Sequence, residues 1–252
     1  MTKLAVMMAA YNAESFIVPA LRSIFSQASA DITLDVIVVD DGSTDQTGQI
    51  LDAMAAEDAR MRVIHTANQG VTRARNEALS ALAADTDLVT FLDADDLVPQ
   101  GRYERDIKLL LEQPALQLTF GNSIWFREAD DEQKAPAANA QTFSGRSVQL
   151  GAGTYRYSLI KAVGGFDTSF KQAEDMDFLL RLFELSPTYL TINEPSLYYR
   201  RHDNNMTHDL TQVKRDFSRA LMMSMRRRKK DSGFRYPDGL FDVQGVMEAF
   251  QW

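Results

Sequence analysis

Short apolar runs alternate with stretches of helical periodicity through the first half of the chain. Four of these runs are continuous and short, as in buried strands, and the run at 36–39 consists entirely of β-branched residues. Between the runs, apolar residues recur at intervals of three and four positions, which predicts amphipathic helices. The predicted strands are residues 4–10, 36–39, 61–65 and 88–92, and the predicted helices lie at 17–25, 50–54 and 71–84.

This alternation predicts an α/β fold with a mainly parallel central sheet and helices on both faces. In such sheets, ligands bind beyond the carboxyl ends of the strands. A polar turn follows each of the four predicted strands, so the sequence predicts a ligand site on that rim of the sheet. The turns contain Tyr11 and Asn12, Asp40 and Asp41, Asn68, and Asp93 with Asp95.

The second half of the chain has a mixed pattern. Strand-like runs at 116–120 and 123–126 precede a polar, alanine-rich segment at 129–139, which is predicted to be an exposed loop. A helical stripe at 176–183 follows two acidic residues, and another begins at Val213.

No clean linker divides the chain, which favours one domain with an appended part over two separate domains. We expect residues 1–207 to form the main domain. Residues 208–252 are expected to form a helical C-terminal extension that packs back on the body, with its last helix ending near Gly233.

The composition is ordinary for a globular protein of 252 residues, with 45% hydrophobic and 25% charged residues. A net charge of −8 argues against a nucleic-acid partner, and the lack of cysteine excludes disulfides and zinc–thiolate sites. No apolar run approaches the roughly 20 residues that cross a bilayer. The N-terminus shows no signal-peptide cleavage site, so the cytoplasm is the expected location.

Two carboxylates, Asp93 and Asp95, flank one residue just beyond the fourth predicted strand. At that position they can converge on a hard divalent cation, Mn²⁺ or Mg²⁺, with water and a substrate diphosphate completing the coordination. The alternative is a plain acidic turn or a helix cap.

Asp40 and Asp41 end the neighbouring strand, where a carboxylate can accept hydrogen bonds from a base or a ribose. We expect Asp40 to face the base and Asp41 to touch the ribose or cap a helix. The alternative is an Asx-turn that caps the helix after Gly42.

Seven segments of the chain together resemble the family 2 glycosyltransferases. They occur in the family's order and spacing and extend over about residues 3–207. The resemblance implies a GT-A fold, a nucleotide-sugar donor, a divalent metal and inversion at the anomeric carbon. The segments are AAYNAE at 9–14, VVDDGSTD at 38–45, NQGVTRARN at 68–76, FLDADD at 91–96, GGFD at 164–167, EDMD at 174–177 and YRRH at 199–202.

The chain departs from the family pattern in two places. The family usually has proline where Ala9 stands, a change expected to loosen the first turn without removing its contacts. The Gln-x-x-Arg-Trp motif of processive polysaccharide synthases is absent, so a non-processive enzyme is expected. A UDP-sugar is the expected donor, and a glycan, lipid-linked or other hydroxyl group in surface polysaccharide synthesis is the expected acceptor.

The resemblance also implies a role for each nucleotide-site residue. Tyr11 would stack on the base, Asn12 would position the ribose or base, and Arg73 would stabilise the diphosphate. Glu14 would either bond the ribose or cap a helix. Arg75 and Asn76 would brace the acidic rim. The complete predicted nucleotide site is Ala9, Tyr11, Asn12, Glu14, Asp40, Asp41, Asn68, Arg73, Asp93 and Ala94.

By the same resemblance, Glu174 and Asp175 form the catalytic pair. Asp175 is the predicted base for the acceptor hydroxyl and Glu174 its orienting neighbour, although either carboxylate alone would be read as a helix cap. The predicted metal ligands are Asp95, Asp93 and His202, while a lone histidine is otherwise more often structural.

The basic run near the C-terminus has two interpretations. It can contact anionic lipid at the inner membrane surface, or it can be a solvated helix end whose cations suit the helix dipole. The second is favoured from the sequence. The run consists of Arg226, Arg227, Arg228, Lys229 and Lys230.

Two other functions compete with sugar transfer. A phosphohydrolase would use Asp93 as nucleophile and Asp95 as acid, but it requires Gly-Thr where Asp96 and Leu97 stand. A non-catalytic nucleotide-sugar-binding or assembly protein of a glycan-synthesis complex would hold nucleotide without consuming the donor.

Overall fold

The structure is a computed structural model that describes residues 1–27, 29, 31–132, 134–145, 149–203, 205, 210–229 and 236. Strands and helices alternate strictly up to the fourth strand, as the sequence predicts. The strands are β1 Thr2–Ala10, β2 Ile32–Asp40, β3 Met61–His65, β4 Leu88–Phe91, β5 Leu118–Phe126, β6 Ala129–Asp130, β7 Ala135–Pro136, β8 Thr142–Gly145, β9 Gly153–Arg156 and β10 Tyr189–Arg200. The helices are α1 Ile17–Phe25, α2 Thr47–Glu57, α3 Val71–Ser80, α4 Arg102–Glu112, α5 Tyr157–Val163, α6 Glu174–Glu184 and α7 Leu210–Arg228, with a 3₁₀ turn at Leu150–Ala152.

Among the described residues, eight strands form one sheet in the order β10-β5-β9-β4-β1-β2-β3, and the eighth strand, β8, pairs with β5. The half that contains β4, β1, β2 and β3 is parallel throughout. In the other half, β9 runs antiparallel to both β4 and β5, while β10 is parallel to β5. The predicted mainly parallel α/β sheet with a mixed second half is confirmed.

The core lies on both faces of the parallel half. Residues 4–8 of β1 are buried on both sides, which is why this strand reads as a continuous apolar run rather than an alternating one. On α1 the stripe that contains Ile17, Leu21 and Ile24 is fully buried against the sheet. With both faces covered, the carboxyl ends of β1, β2 and β4 remain available for a ligand site.

Two predicted elements differ in the structure. The runs at 116–120 and 123–126 form the single strand β5, which continues through Gly121 because β10 approaches closely there. A Cβ at Gly121 would lie 1.8 Å from Ser196 Oγ. The predicted loop at 129–139 contains β6 and β7, two very short strands that pair with each other.

The predicted C-terminal helix is α7, which packs on α6. Arg227 of α7 donates to Glu184 Oε2 at 2.6 Å and to Asp177 Oδ1 at 3.2 Å, and Ala220 is fully buried. The predicted helix end near Gly233 and, apart from Tyr236, the tail after it fall outside the described residues. No helix in the described part of the chain is both long and apolar enough to span a bilayer.

Candidate functional site

The turns that follow β1 and β2 are tied to each other by side-chain hydrogen bonds. Asn12 Oδ1 accepts a hydrogen bond from the Thr44 amide at 2.8 Å, and Ser43 Oγ accepts one from the Asn12 amide at 3.0 Å. Glu14 Oε2 accepts from the Gln46 amide at 2.8 Å. Asn12 has a φ of 49°, a left-handed conformation that asparagine tolerates well. The tied turns leave the ring of Tyr11 50% exposed above them.

Asp40 and Asp41 are both buried, and each holds a different loop. Asp40 accepts from the Ser43 amide at 3.1 Å and lies 3.0 Å from His65 Nδ1. Asp41 accepts from the amides of Gln69 at 2.9 Å and Gly70 at 2.7 Å, just before α3 begins. Asp41 therefore satisfies amides at the start of α3, rather than of the helix that follows Gly42.

The two remaining nucleotide-site candidates on this side are exposed. The Asn68 amide lies beside Gly42, where a Cβ would be 2.6 Å from it, and Gly42 has a φ of 72°. This close approach of two turns requires glycine. Arg73 lies in the first turn of α3 and donates to Gln69 Oε1 at 3.2 Å.

Arg75 connects the turn after β4 to the start of α6. Its guanidinium is buried and donates to Asp93 Oδ1 at 2.6 Å and to Glu174 Oε1 at 2.5 Å. A planar guanidinium can bond two carboxylates at once, which a lysine ammonium does with far less geometric precision. The buried positive charge therefore offsets two of the acidic groups that the fold brings together.

The three acidic residues after β4 point to three different partners. Asp93 turns to Arg75, and Asp95 Oδ2 lies 2.9 Å from His202 Nε2 and accepts from Asn205 Nδ2 at 3.1 Å. Asp96 is buried and accepts from the Arg200 amide at 2.9 Å. Burial, together with the negative charges of Asp95 and Asp93, raises the pKa of Asp96 well above its ordinary value. Ala94 is buried among them.

The pair formed by Asp95 and His202 is the part of this site that fits a divalent cation. The His202 ring stacks on Phe16 with 4.3 Å between centroids, so its orientation is fixed. Within the described ranges, no three histidine or acidic side chains gather closely enough to enclose a metal. Mg²⁺ usually binds through one or two carboxylates plus water and substrate phosphates, so the single carboxylate of Asp95 suits it, and the His202 imidazole offers a second donor. Asp93 is not grouped with this pair, because its carboxylate is bonded to Arg75.

Glu174 and Asp175 open α6, directly after a left-handed residue, Ala173, with a φ of 58°. Glu174 is buried beneath Arg75, whereas Asp175 is half-buried and accepts a hydrogen bond from the Met176 amide at 2.7 Å. Burial raises the pKa of Glu174 to about 7; Asp175 and Asp93 add to this rise, and Arg75 opposes it. Burial also raises the pKa of Asp175.

A small open cleft lies between the turn after β4 and the start of α6. Asp93, Arg75 and Asp175 line it, and Glu174 does not, because Glu174 lies behind the guanidinium. Gln149 and Tyr199 also line the cleft. The Oε1 atom of Gln149 is buried and has no hydrogen-bond partner among the described residues, so it can accept a hydrogen bond from a ligand hydroxyl.

The glycine-rich turn at 164–167 is fastened to α3 by Asn76. Asn76 Nδ2 donates to the Phe166 carbonyl at 3.0 Å, and Asn76 Oδ1 accepts from the Phe166 amide at 2.8 Å. A Cβ on Gly165 would lie 2.9 Å from Asn76 Oδ1, so the contact needs glycine there. Arg75 thus braces the acidic rim, as expected from the sequence, whereas Asn76 holds the turn at 164–167 instead.

Sequence reasoning missed two polar residues of the cleft, Gln149 and Tyr199. Gln149 lies in a segment that no motif marks, and it reaches the cleft only through the folding of the second half of the chain. Tyr199 is the first residue of the segment 199–202 that carries the resemblance, and this position is the signal that could have indicated it.

Comparison with known proteins points to one family. The family model described as Glycosyl transferase family 2 matches residues 5–155. Uncharacterized glycosyltransferase EpsJ of Bacillus subtilis (strain 168) is 29% identical over 215 residues, which are 78% of this chain and 60% of that protein. Glycosyltransferase GlyG of Streptococcus pneumoniae serotype 4 is 33% identical over 128 residues, which are 50% of this chain and 41% of that protein. The chain thus spans about 60% or less of the length of these relatives.

Two solved structures have the same architecture. Staphylococcus aureus TarS 1–349 in complex with UDP-GlcNAc superposes with a TM-score of 0.70 at 20% identity, covering 93% of this chain and 68% of that one. The mannosyltransferase PcManGT of Pyrobaculum calidifontis, in complex with GDP-Man and Mn²⁺, superposes with a TM-score of 0.68 at 17% identity, covering 98% and 69%. The fold of the chain is therefore the GT-A fold.

Proposed function

The chain belongs to glycosyl transferase family 2, whose model matches more than half of it, and on that premise we propose that it transfers a sugar from a nucleotide-diphosphate sugar to a hydroxyl acceptor. The transfer is non-processive and inverts the anomeric carbon. The observation that carries the proposal is the cleft in which Asp175 and Asp93 face the same space. In this proposal Asp175 acts on the acceptor, and Asp93 lies on the donor side.

Asp175 is the proposed catalytic base. Its carboxylate takes the proton of the acceptor hydroxyl as that oxygen bonds to the anomeric carbon, and the bond to the diphosphate breaks on the opposite face. Asp175 lines the cleft, whereas Glu174 lies behind Arg75. Glu174 is therefore a positioning residue, because it fixes the guanidinium that lies beside the base.

Asp95 and His202 are the proposed ligands of a divalent cation, Mn²⁺ or Mg²⁺. Their facing atoms are 2.9 Å apart, which suits two donors to one ion. When bound, such an ion neutralises negative charge on the departing diphosphate. Asp93 lines the cleft and is held by Arg75; together with Asp95 it forms the proposed pair of carboxylates on the donor side. The Mn²⁺ complex of PcManGT supports a metal in this fold.

The nucleotide is proposed to bind on the rim made by the turns after β1, β2 and β3. Tyr11 offers an accessible ring for stacking on the base, and Arg73 offers an exposed guanidinium for the diphosphate. Asp40 and Asp41 hold the rim in shape through backbone amides, while their remaining lone pairs can accept from a base or ribose. The rest of the proposed rim is Ala9, Asn12, Glu14, Asn68 and Ala94.

A UDP-sugar is the proposed donor, and a glycan or lipid-linked hydroxyl in surface polysaccharide synthesis is the proposed acceptor. The UDP-GlcNAc complex of TarS supports the donor class, since it has the same fold. We place the reaction in the cytoplasm, at the inner membrane surface. The residues 1–207 are proposed as the catalytic domain and 208–252 as its C-terminal extension.

The deciding experiment is turnover of a panel of UDP- and GDP-sugars with Mn²⁺ and simple glycoside acceptors, measured as nucleotide diphosphate released and as glycoside product. Acceptor-dependent release of one diphosphate per product is expected. A chain that binds nucleotide sugar tightly but consumes none, with every acceptor tried, would instead be the non-catalytic binding protein. The matched control is Asp175→Asn, which should bind the donor without turning it over.

A further inference from the structure

The outward face of α7 carries an apolar patch that the sugar-transfer site does not use. Leu221, Met222 and Met225 are 38%, 52% and 58% exposed, and they are separated by one, three and four positions. Met225 lies three positions from Met222 and four from Leu221, the intervals at which side chains are neighbours on a helix, so the three side chains form one patch. Exposed apolar residues scattered singly need no explanation, but a contiguous group on one helix marks a contact surface.

Cations lie at both ends of this patch. Lys214 and Arg215 are exposed before it, and Arg226 and Lys229 are exposed after it. At 3.6 residues per turn, all seven side chains fall within one arc of about 140°. None of the exposed positions from 211 to 229 is acidic; Asp216, the acidic residue of this stretch, is buried and bonded to the Gln172 amide. The face is thus positive in a chain whose net charge is −8.

The structure separates the basic run at the end of α7 into inward and outward members. Arg227 turns inward to Glu184 and Asp177. Arg228 lies over the ring of Tyr236, with 4.7 Å between the guanidinium carbon and the ring centroid. Arg226 and Lys229 face outward, and Lys230 lies outside the described residues. Of the four described residues of this continuous basic run, two therefore supply their charge to the outward face.

We propose that this face of α7 docks on the surface of an anionic lipid bilayer. An amphipathic helix with leucine and methionine at its centre and cations around them lies in the interfacial plane, with the apolar side chains at the boundary of headgroups and acyl chains. The cations pair with anionic headgroups, which attract basic residues near the membrane surface. A bilayer of zwitterionic lipids can interact with the apolar side chains but lacks anionic headgroups to pair with the cations.

The inward side of α7 is attached to the segment that precedes Glu174 and Asp175. Asp216, in the middle of α7, accepts a hydrogen bond from the amide of Gln172, two residues before Glu174. Arg219 of the same helix donates to the Ser169 carbonyl at 2.9 Å. The lipid-binding helix thus contacts the segment that leads into the catalytic pair. Membrane docking itself is independent of sugar transfer; its use, to meet a lipid-linked acceptor, rests on the proposed function.

The test is flotation of the full-length chain with vesicles of phosphatidylcholine alone and with vesicles containing about one-third phosphatidylglycerol. Binding to the anionic vesicles is expected, weakening as salt is raised because exposed charges are screened. Met222→Ser with Met225→Ser, and separately Arg226→Gln with Lys229→Gln, should each lower the partition coefficient at least about tenfold. The matched control is Leu111→Ser with Lys108→Gln, an equally exposed apolar and cationic pair on α4.

Each variant is also assayed for its melting temperature and for turnover of donor with a soluble acceptor, and both should match the unaltered chain. Absence of binding to anionic vesicles overturns the proposal, as does binding that the α7 variants leave unchanged or that the α4 control lowers equally. If the α7 variants instead convert a dimer to a monomer, the face joins two copies of the chain. Failure of soluble turnover in every form counts against the proposed function and not against membrane docking.

Discussion

Arg75 lies between the proposed donor side and the proposed acceptor side of the cleft. It is buried, and its two partners come from the turn after β4 and from the start of α6. Buried cations are retained where each charge is paired, because an unpaired one is very costly. Glu174 bonds the guanidinium and does not line the cleft, so Asp175, the proposed base, is the one of the two adjacent acids that lines it.

That arrangement predicts different effects for the two acids. Asp175→Asn preserves volume but cannot take a proton, so kcat should fall about 10²- to 10⁴-fold. Affinity for nucleotide diphosphate, measured by calorimetry, and the melting temperature should change little. Glu174→Gln, the matched control, should lower kcat less because it acts through Arg75. If Glu174→Gln abolishes kcat while Asp175→Asn does not, the two roles are reversed.

The pH dependence of transfer follows from the environment of Asp175. A base acts in its deprotonated form, and burial raises its pKa. The rate should therefore decline, as pH is lowered, at a pH above the ordinary value of about 3.9 for an aspartate. Because Asp175 interacts with Glu174, the decline reports the pair rather than one group. A pH–kcat/KM profile that stays flat down to pH 4 would contradict this assignment.

At the scale of elements, a chain of contacts runs from the sheet to α3 and from α3 to the start of α6. Asp41 at the end of β2 fixes the start of α3 through the amides of Gln69 and Gly70. Helix α3 then carries Arg75 to the acidic pair and Asn76 to the turn before α6. The position of the proposed catalytic pair therefore depends on α3, although the pair lies far from α3 along the chain.

Asn76→Ala tests this dependence. It removes both hydrogen bonds to Phe166 and leaves a backbone amide and carbonyl without partners, so the free energy of unfolding should fall by about 1–3 kcal/mol. kcat should fall as well, because the turn that leads to α6 loses its attachment, while nucleotide binding should persist. Urea unfolding and steady-state kinetics measure the two effects.

Glu77→Ala is the matched control for Asn76→Ala, since Glu77 is the exposed neighbour on the same helix. It should leave both the stability and kcat nearly unchanged. Equal losses in the two variants would mean that α3 is sensitive to any truncation, and the role of Asn76 in positioning α6 would be rejected.

At the scale of the whole molecule, the site lies where two halves of one sheet meet. The parallel half supplies the ends of β1, β2 and β4, and β10 returns from the far edge to bring His202 to Asp95. Ligands of open α/β sheets bind at such carboxyl ends. Binding a donor and a cation there would connect both halves, so it should stabilise the entire fold.

Thermal unfolding with nucleotide diphosphate and Mn²⁺ measures that stabilisation. A ligand at 100 times its Kd adds about 2.7 kcal/mol. The nucleotide should bind more tightly with Mn²⁺ than with EDTA, and Asp95→Asn should remove most of that difference. Asp85→Asn, an exposed acid at the opposite end of β4, is the control. Equal affinity with Mn²⁺ and EDTA would reject the metal assignment.

Much of the architecture could be predicted from the sequence because its signals are local. Apolar runs and helical stripes report which residues are buried, and they placed β1 to β4 and the helices between them. The polar turns at the strand ends also followed directly, since parallel strands carry their carboxyl ends to one rim. At Gly121 and Asn122 the run of apolar side chains is interrupted although the strand continues, so the pattern predicts two strands where the structure has one.

The sequence by itself determined the order of elements, the rim on which the acidic residues gather and the family that they resemble. Only the tertiary structure decided which groups pair. Arg75 bonds Glu174 across 99 positions, and Asp95 meets His202 across 107. Asp41 serves α3 instead of α2, and within the basic run Arg226 and Lys229 are exposed whereas Arg227 turns inward. Periodicity reports whether a side chain is buried, whereas its partner depends on the packing of elements far apart in the chain.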